Sequence, residues 1–445
     1  MTHHGPTAAA RAADDGNRLA RTVGVPGAVF LGLGSIVGTG IFVSLGTAAG
    51  VAGPSVVAAV ALAAGVATLN GLSSAQLAAS PPVSGGTYEY GYRYLSPAAG
   101  FLAGWMFLCA KSASAATAAL GFAGYTLTAF GVGGGTARVA LGVAVVGAVT
   151  ALVASGIERS SRANVAIVSI TLLALGGFVA AGLPAALAGA PSHLRPFFGG
   201  EDGAAAFLHG AALMFVAFTG YGRVATLGEE VRDPERSIPR AIGITLLVSM
   251  ALYVAVGFVA VASVGPEALA RATEGEAAPL EVVARGFDVA GVAWVVAVGA
   301  VTAMLGVLLN LVLGLSRVWL AMARRGDAPR GLAAVSEQGS PTRAVALTGL
   351  LVGGLVLTGS VRLTWSFSAF TVLIYYALTN LAALRLPAEA RRYPRWIPAT
   401  GLVASLGLAF FVETRVWLAG LGLAGAGLAW HLWRVRSGAS ERRSP

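Results

Sequence analysis

Twelve apolar runs, each long enough to cross a lipid bilayer as a helix, occupy most of this sequence. A transmembrane helix needs about 20 mainly apolar residues. Only 11% of the residues are charged, against about 25% in a soluble domain, so the chain is predicted to fold as an all-α polytopic membrane protein. The runs lie near residues 24–50, 54–80, 96–130, 138–156, 163–184, 204–228, 238–264, 286–322, 344–360, 363–386, 396–412 and 416–433.

The basic residues predict the orientation of the chain in the membrane. Of the 30 basic residues, 29 are arginine, and the alternating loops divide 21 arginines on one side from 6 on the other. Cytoplasmic loops carry the excess of positive charge, so we expect a plasma-membrane protein with both termini in the cytoplasm. This topology signal accounts for the net charge of +10 without a nucleic-acid partner. We expect a monomer or a homodimer whose surroundings are the lipid bilayer.

The sequence contains no pattern of cysteine and histidine that is typical of a metal or redox site. Cys109 is the sole cysteine, and the five histidines are scattered without the spacing of a zinc site. A disulfide within the chain is therefore excluded. We predict no cofactor, no metal site and no enzymatic activity.

Glycines interrupt two of the apolar runs at matching positions. The first run contains GLGSIVGTGIFVSLG (32–46) and the sixth contains FVAFTGYGRVATLGEEV (215–231). An unwound segment inside a membrane exposes backbone groups and is tolerated only where it lines a cavity. Free amides and a helix N-terminus suit a carboxylate, whereas free carbonyls suit an ammonium, so the breaks suit the groups that amino acids share. The alternative is close helix packing through small residues such as Gly34 and Gly38.

Five stretches, in order along the chain, resemble motifs of the amino acid–polyamine–organocation (APC) transporter superfamily. They are GSIVGTGIF, PPVSGGTYEYGYRYLSPAAGFLAGW, FTGYGRVATLGEEVRDPERSIPRAI, GLSRVWLAMARRGDAPRGLAAV and YYALTNLAALRL. The resemblance implies a leucine-transporter-type fold of twelve transmembrane helices, with a five-plus-five inverted repeat, broken helices 1 and 6, and two further helices. The expected divisions are a cytoplasmic tail 1–23, a first repeat 24–184, a second repeat 204–386, helices 11 and 12 in 396–433, and a cytoplasmic tail 434–445.

The resemblance also implies roles for residues at both breaks. In the first, Ile36 would offer a carbonyl to the substrate amine, and Thr39 and Gly40 would offer donors to its carboxylate. In the second, Val216 and Thr219 would offer carbonyls to the amine. Phe215, Phe218 and Tyr221 are the gate candidates, because Val216 stands where such proteins place a bulky gating aromatic. The full set of predicted substrate-binding residues is Ile36, Gly38, Thr39, Gly40, Val216, Phe218, Thr219, Gly220 and Tyr221.

Lys111, the only lysine, lies well inside the third apolar run. A charge at the centre of a membrane helix costs about 2.5–3.5 kcal/mol on insertion scales. Lysine can lose its proton when desolvated, whereas arginine stays charged. Many proton-coupled members of the superfamily that this chain resembles carry a lysine in the fifth helix, and the resemblance places Thr171 at that position. We therefore predict that Lys111 carries the coupled proton or places a cation beside the substrate; the alternative is a lysine that only joins helices through backbone carbonyls.

These features together predict a secondary active transporter that carries amino acids by alternating access. No acidic residue is predicted near the middle of the membrane, so we expect neutral substrates, or acidic ones if Lys111 stays charged. The coupling ion is expected to be H⁺, although Na⁺ is kept open because span eight offers Thr302, Asn310 and Ser316. Two alternatives remain, an exchanger of the same fold and a channel-like facilitator. The outer loop 265–286 is expected to contain a short amphipathic helix.

Overall fold

The computed structural model describes residues 24–79, 86–156, 161–199, 202–225, 231–336 and 339–441. The predicted tail 1–23 and the last residues of the tail 434–445 lie outside these ranges, as does the start of the second motif. The first half contains α1 (Val25–Ile36), α2 (Leu45–Ala52), α3 (Val56–Ala79), α4 (Thr87–Tyr94), α5 (Pro97–Ala129), α6 (Gly135–Ala154) and α7 (Ser161–His193).

The rest of the chain contains ten further helices in the described ranges. It contains α8 (Gly203–Phe218), α9 (Gly222–Ala225), α10 (Pro234–Val264), α11 (Pro266–Glu276), α12 (Pro279–Ala284), α13 (Val292–Arg325), α14 (Thr342–Val356), α15 (Val361–Leu384), α16 (Trp396–Ala409) and α17 (Thr414–Glu441). The outer loop therefore holds two short helices, α11 and α12, where the sequence predicted one. The fifth predicted run ended at residue 184, but α7 continues to His193 despite Pro184 and Pro191.

Nine helical segments in the described ranges are long and apolar enough to cross a membrane. One of them, Gly40–Ala79, joins the later part of the first run to the second run. Three further apolar helices are shorter: Val25–Ile36, Thr342–Val356 and Trp396–Ala409. The prediction of an all-α polytopic membrane protein is confirmed.

Helix α5 lies at the centre of the bundle and packs along α13 and α15. It is antiparallel to α15, and hydroxyl pairs fix the register: Ser114 lies 2.7 Å from Ser368 and Thr117 lies 2.7 Å from Thr364. Such hydroxyl contacts between transmembrane helices hold them together where no water competes. This register places Lys111 in the middle of the bundle, at the level of Thr371.

A buried carboxylate joins three separate elements at the end of the bundle where α13 ends. Asp327 Oδ2 accepts hydrogen bonds from the Tyr88 and Tyr92 hydroxyls of α4, both at 2.6 Å, and Oδ1 lies 3.2 Å from Nδ1 of His431 in α17. Burial, followed by Asp327, raises the pKa of both tyrosines, so they keep the protons that they donate. Local sequence patterns do not predict this junction, because its members lie far apart in the chain.

We expect Asp327→Ala to lower the free energy of unfolding by about 3 kcal/mol. Hydrogen bonds to a charged group contribute about 1.5–3 kcal/mol each, and their loss leaves polar partners unpaired. Thermal unfolding in detergent would measure the change. The control is Glu389→Ala, an exposed acid at the same end, which should leave the melting temperature unchanged. Equal melting temperatures for the two variants would contradict the role given to Asp327.

Candidate functional site

The first break separates α1 from the helical residues that follow it. α1 ends at Ile36, and Val37 leaves the helical conformation with φ −77° and ψ 103°. The chain resumes at Gly40 as a π-helical turn, Gly40–Ser44, before α2 begins. The predicted interruption is thus present, and it is centred on residues 37–39.

The second interruption, in the sixth run, is a local change of helix type and not the unwound segment that the sequence predicted. α8 ends at Phe218, and a single 3₁₀ turn, Thr219–Tyr221, follows before the short helix α9. The change from i→i−4 to i→i−3 hydrogen bonding leaves carbonyls of the last turn of α8 available to side chains. Both interrupted segments therefore present backbone groups inside the bundle.

The two breaks touch each other through glycine. A Cβ atom on Gly220 would overlap the carbonyl group of Ser35 and lie 2.7 Å from the backbone nitrogen of Ile36. A Cβ atom on Gly40 would overlap Ala217. Residues with side chains essentially never come this close, so glycine at these two positions allows the interrupted segments to cross in backbone contact.

Other glycines of the first break allow close helix packing, which was the alternative interpretation of this segment. A Cβ atom on Gly34 would collide with the side chains of Asn164 and Val168 in α7. One on Gly38 would lie 2.6 Å from the Val307 side chain of α13. The glycine-rich first segment thus serves both helix packing, at Gly34 and Gly38, and the contact between the breaks, at Gly40.

Lys111 reaches from α5 to the second break. Its Nζ donates a hydrogen bond to the hydroxyl of Thr219 at 2.8 Å, and that hydroxyl donates to the Val216 carbonyl, also at 2.8 Å. The partner of Lys111 is therefore a side chain of the break, and not a backbone carbonyl as the structural alternative supposed. The lysine is connected to the part of the site for which the sequence predicted substrate contacts.

Three of the carbonyls predicted for the substrate amine accept hydrogen bonds within the protein. Ile36 accepts one from the Tyr253 hydroxyl of α10 at 2.8 Å, and Thr219 accepts one from the Tyr376 hydroxyl of α15 at 3.3 Å. Val216 accepts the bond from Thr219. A carbonyl oxygen has two lone pairs, so Tyr253 and Tyr376 orient the carbonyls of Ile36 and Thr219 and leave each able to accept another donor. The Val216 carbonyl also accepts the backbone N–H of Thr219, so a substrate amine would have to replace one of its two donors.

The Thr39 hydroxyl is a polar group of the first break that lacks a hydrogen-bond partner within the described residues. Thr39 is 4% exposed, and its Oγ1 has no hydrogen-bond partner among the described residues. A buried hydroxyl without a partner costs free energy. A ligand that supplied the missing partner would recover that cost.

The three gate candidates are fully buried and pack against other aromatic rings. Phe215 and Tyr221 both contact Tyr376, with ring centroids 5.6 and 5.5 Å apart, and Phe218 contacts Tyr253 at 5.1 Å. The same two tyrosines thus hold both the carbonyls and the aromatic rings of the breaks. The sequence did not single out Tyr253, because its spacing in α10 resembles that of any buried aromatic.

Burial differs between the two sides of the breaks. Residues 40–49 of the first run are all buried, whereas Ser35, Lys111, Gly220 and Gly222 keep accessible surface although they lie inside the bundle. Space next to these four residues therefore remains on the α1 side of the first break. The other side is packed shut.

No acidic side chain contacts either break within the described ranges, and no group of three His, Cys, Asp or Glu residues there could hold a metal ion. The span-eight hydroxyls considered for sodium bond within their own helix, Thr302 to Val298 and Gly299 and Ser316 to Leu313. Lys111 hydrogen-bonds to the second break and brings a side chain that can carry a positive charge to it.

A helical membrane bundle in which two interrupted helices meet beside an interior lysine defines a membrane transporter. The family comparison agrees, because the model of the amino acid permease family matches residues 27–430. The chain belongs to the amino acid permease family and is a transporter, not an enzyme. Its substrates accordingly belong to the amino acids and related small molecules.

Several transporters are similar to this chain over most of its length. An uncharacterized transporter of Mycobacterium tuberculosis is 43% identical over 93% of this chain and 91% of its own. The branched-chain amino acid permease BcaP of Bacillus subtilis is 32% identical over 71% of this chain and 70% of its own. The vacuolar cationic amino acid transporter 2 of Arabidopsis thaliana is 28% identical over 83% of this chain and 60% of its own.

Proposed function

We propose that this protein is a proton-coupled symporter that moves neutral amino acids across the plasma membrane by alternating access. The observation that carries the proposal is the hydrogen bond from Lys111 to Thr219. It joins the one lysine to an interrupted helix, so a change in its protonation would act directly on the binding site.

The proposed architecture is the twelve-helix, five-plus-five inverted repeat, with α1 to α7 in one half and α8 to α15 in the other. Paired interrupted helices at matching positions are typical of such transporters, which bind substrate near the middle of the membrane. The proposed orientation places both termini in the cytoplasm. It is supported by the division of the arginines, 21 against 6, between alternating loops. The bonds from Arg138 to carbonyls of Glu274, Gly275 and Gly359 are consistent with a common side for these segments.

A neutral substrate is favoured by the charges around the breaks. The amine would meet the carbonyls of Ile36, Val216 and Thr219, and the carboxylate would meet Thr39 and the amide of Gly40. Lys111 supplies one positive charge and the described site supplies no carboxylate, so a cationic side chain would be repelled. The branched-chain permease relative is consistent with an apolar side chain, whereas the cationic transporter relative is the competing precedent.

Uptake by purified protein in liposomes would test the function. Labelled neutral, acidic and basic amino acids would be offered with an inward proton gradient, an inward sodium gradient, or neither. We expect neutral amino acids to accumulate with the proton gradient alone. Uptake that ignores both gradients and requires a preloaded amino acid would instead identify an exchanger, and non-saturable uptake would identify a facilitator.

We expect Thr39→Val to raise the KM for uptake about 10-fold or more while leaving the protein folded. A hydrogen bond to a charged group contributes about 1.5–3 kcal/mol, and each 1.4 kcal/mol corresponds to a factor of 10 in affinity. Concentration-dependent uptake would give the KM. The control is Thr68→Val in α3, whose hydroxyl bonds only the Ala64 carbonyl of its own helix. An unchanged KM in Thr39→Val would remove Thr39 from the binding site.

A further inference from the structure

Glu281, in α12 of the outer loop, is a buried acid that the transport cycle described above does not use. Its side chain is 2% exposed, and Oε1 lies 3.0 Å from Nη2 of Arg285. The other oxygen, Oε2, is buried without a hydrogen-bond partner in the described part of the chain. An ionised oxygen left in that state is costly, whereas a protonated carboxyl carries no charge. The surroundings of Glu281 in this conformation therefore favour the protonated form.

The helix that carries Glu281 is connected to the first broken segment. The Tyr125 hydroxyl of α5 donates to the carbonyl of Phe42 at 2.5 Å and accepts a hydrogen bond from the backbone N–H of Leu280 at 3.2 Å. Phe42 follows the first break directly, and Leu280 precedes Glu281. A shift of α12 would thus act on the segment 40–49, whose residues are all buried.

Few charged or titratable groups face the Glu281 carboxyl. Arg285 approaches from the end of α12 and is also bonded to the Thr128 carbonyl of α5, and Tyr125 approaches from α5. The described parts of α7, α10, α13 and residues 40–44 that pack on α12 contribute no charged side chain. The charged residues of the neighbouring helix α11 are exposed to solvent: Glu267, Arg271, Glu274 and Glu276.

We propose that Glu281 accepts a proton from the outer solution and that this protonation holds the outer side of the transporter closed. The proposal rests on the proton coupling proposed above and assigns a residue to its outer step. Opening of the outer side would hydrate the carboxyl and let it ionise. Closure would bury it again, with its proton.

Linkage gives the direction of the effect. Burial raises the pKa of Glu281 from 4.5 to about 7, although Arg285 acts in the opposite direction. Between these two values the closed state binds more protons than an open, hydrated state, so the closed state loses stability as the pH rises towards 7. Acid at the outer face therefore favours closure, and the preference disappears above about pH 7.

Accessibility of a cysteine on the outer side would test the proposal without any substrate. Thr47 lies in α2, is 7% exposed, and its hydroxyl has no partner among the described residues. Thr47→Cys in a Cys109→Ala background would be labelled from outside with a membrane-impermeant methanethiosulfonate. Because thiol reactivity itself depends on pH, each rate is divided by the rate for Gly133→Cys, at an exposed loop position.

We expect the normalised labelling rate to rise about 10-fold or more from pH 5 to pH 7.5, since each unit of pKa difference is a factor of 10. Glu281→Gln, which mimics the protonated carboxyl, should label slowly at every pH. Arg285→Ala should move the midpoint to higher pH. The exposed acid in Glu276→Gln is the matched control and should keep the pH dependence of the parent protein.

A pH-dependent normalised rate that survives in Glu281→Gln would overturn the proposal, and so would a parent protein whose rate ignores pH. If liposome uptake does not depend on the proton gradient while the labelling rate still depends on pH, the proposed proton coupling is wrong and the pH-dependent closure is not. The two ideas are therefore distinguished by independent readouts.

Discussion

Replacement of Lys111 by alanine should abolish proton-driven accumulation of substrate in liposomes. With one proton per substrate, an inward gradient of one pH unit sustains about a tenfold accumulation, since each pH unit corresponds to 1.36 kcal/mol. Without a group that binds and releases the proton, the substrate ratio should fall to about 1. Lys111→Gln and Lys111→Arg should behave alike, because glutamine has no exchangeable charge and arginine stays protonated.

The control for Lys111 lies on the same helix. Cys109, two residues earlier in α5, is also partly accessible, and Cys109→Ala should accumulate substrate as the parent protein does. Exchange of internal for external substrate needs no net proton movement, so part of it should survive in Lys111→Ala. Accumulation that persists with the same pH dependence in Lys111→Ala would disprove the coupling role and leave Lys111 as a helix connector.

Gly220→Ala should lower both stability and transport more than any other added methyl group discussed here. The added Cβ would overlap the backbone of Ser35, and a backbone cannot move aside by changing a rotamer. Overpacking of this kind costs about 1–3 kcal/mol and occasionally more, and we expect about 3 kcal/mol because the obstacle is backbone. Transport should fall more than about 10-fold, because the two breaks could no longer cross in contact.

Gly177→Ala is the matched control for the glycine prediction. Gly177 lies inside the long helix α7, and a Cβ there would meet nothing within 4 Å. Melting temperature and uptake should stay at the parent values, or the melting temperature should rise slightly because alanine favours helix by about 1 kcal/mol. A Gly220→Ala protein with the parent melting temperature and uptake would show that the breaks do not need their close contact.

Two features of the fold were available from local sequence. Apolar runs of spanning length located every transmembrane candidate, because the bilayer imposes the same length requirement on each helix. Glycines at 38 and 40 and at 220 and 222 located both interruptions, because they weaken a helix locally. Neither inference needs to know which helices are neighbours.

The differences from the predictions lie at positions whose structure the hydropathy pattern alone does not set. The loop 265–286 forms two helices because Pro279 begins a second one after Ala277 takes a positive φ of 57°. α7 passes its two prolines within a bundle that packs on α10 and α13. At Gly38, a Cβ atom would lie 2.6 Å from the Val307 side chain, so this glycine serves helix packing; its predicted contact with substrate stays a prediction.

The sequence by itself thus determined a helical membrane transporter with two interrupted helices and a single interior lysine. Tertiary structure alone decided that Lys111 meets Thr219, 108 positions away, that Tyr253 and Tyr376 orient the carbonyls of the breaks, and that Glu281 is buried. The physical reason is that hydropathy and glycine act within a few residues of their own position. Which side chains meet depends on how each helix is rotated and crossed against the others, and that is set by the packing of the whole bundle.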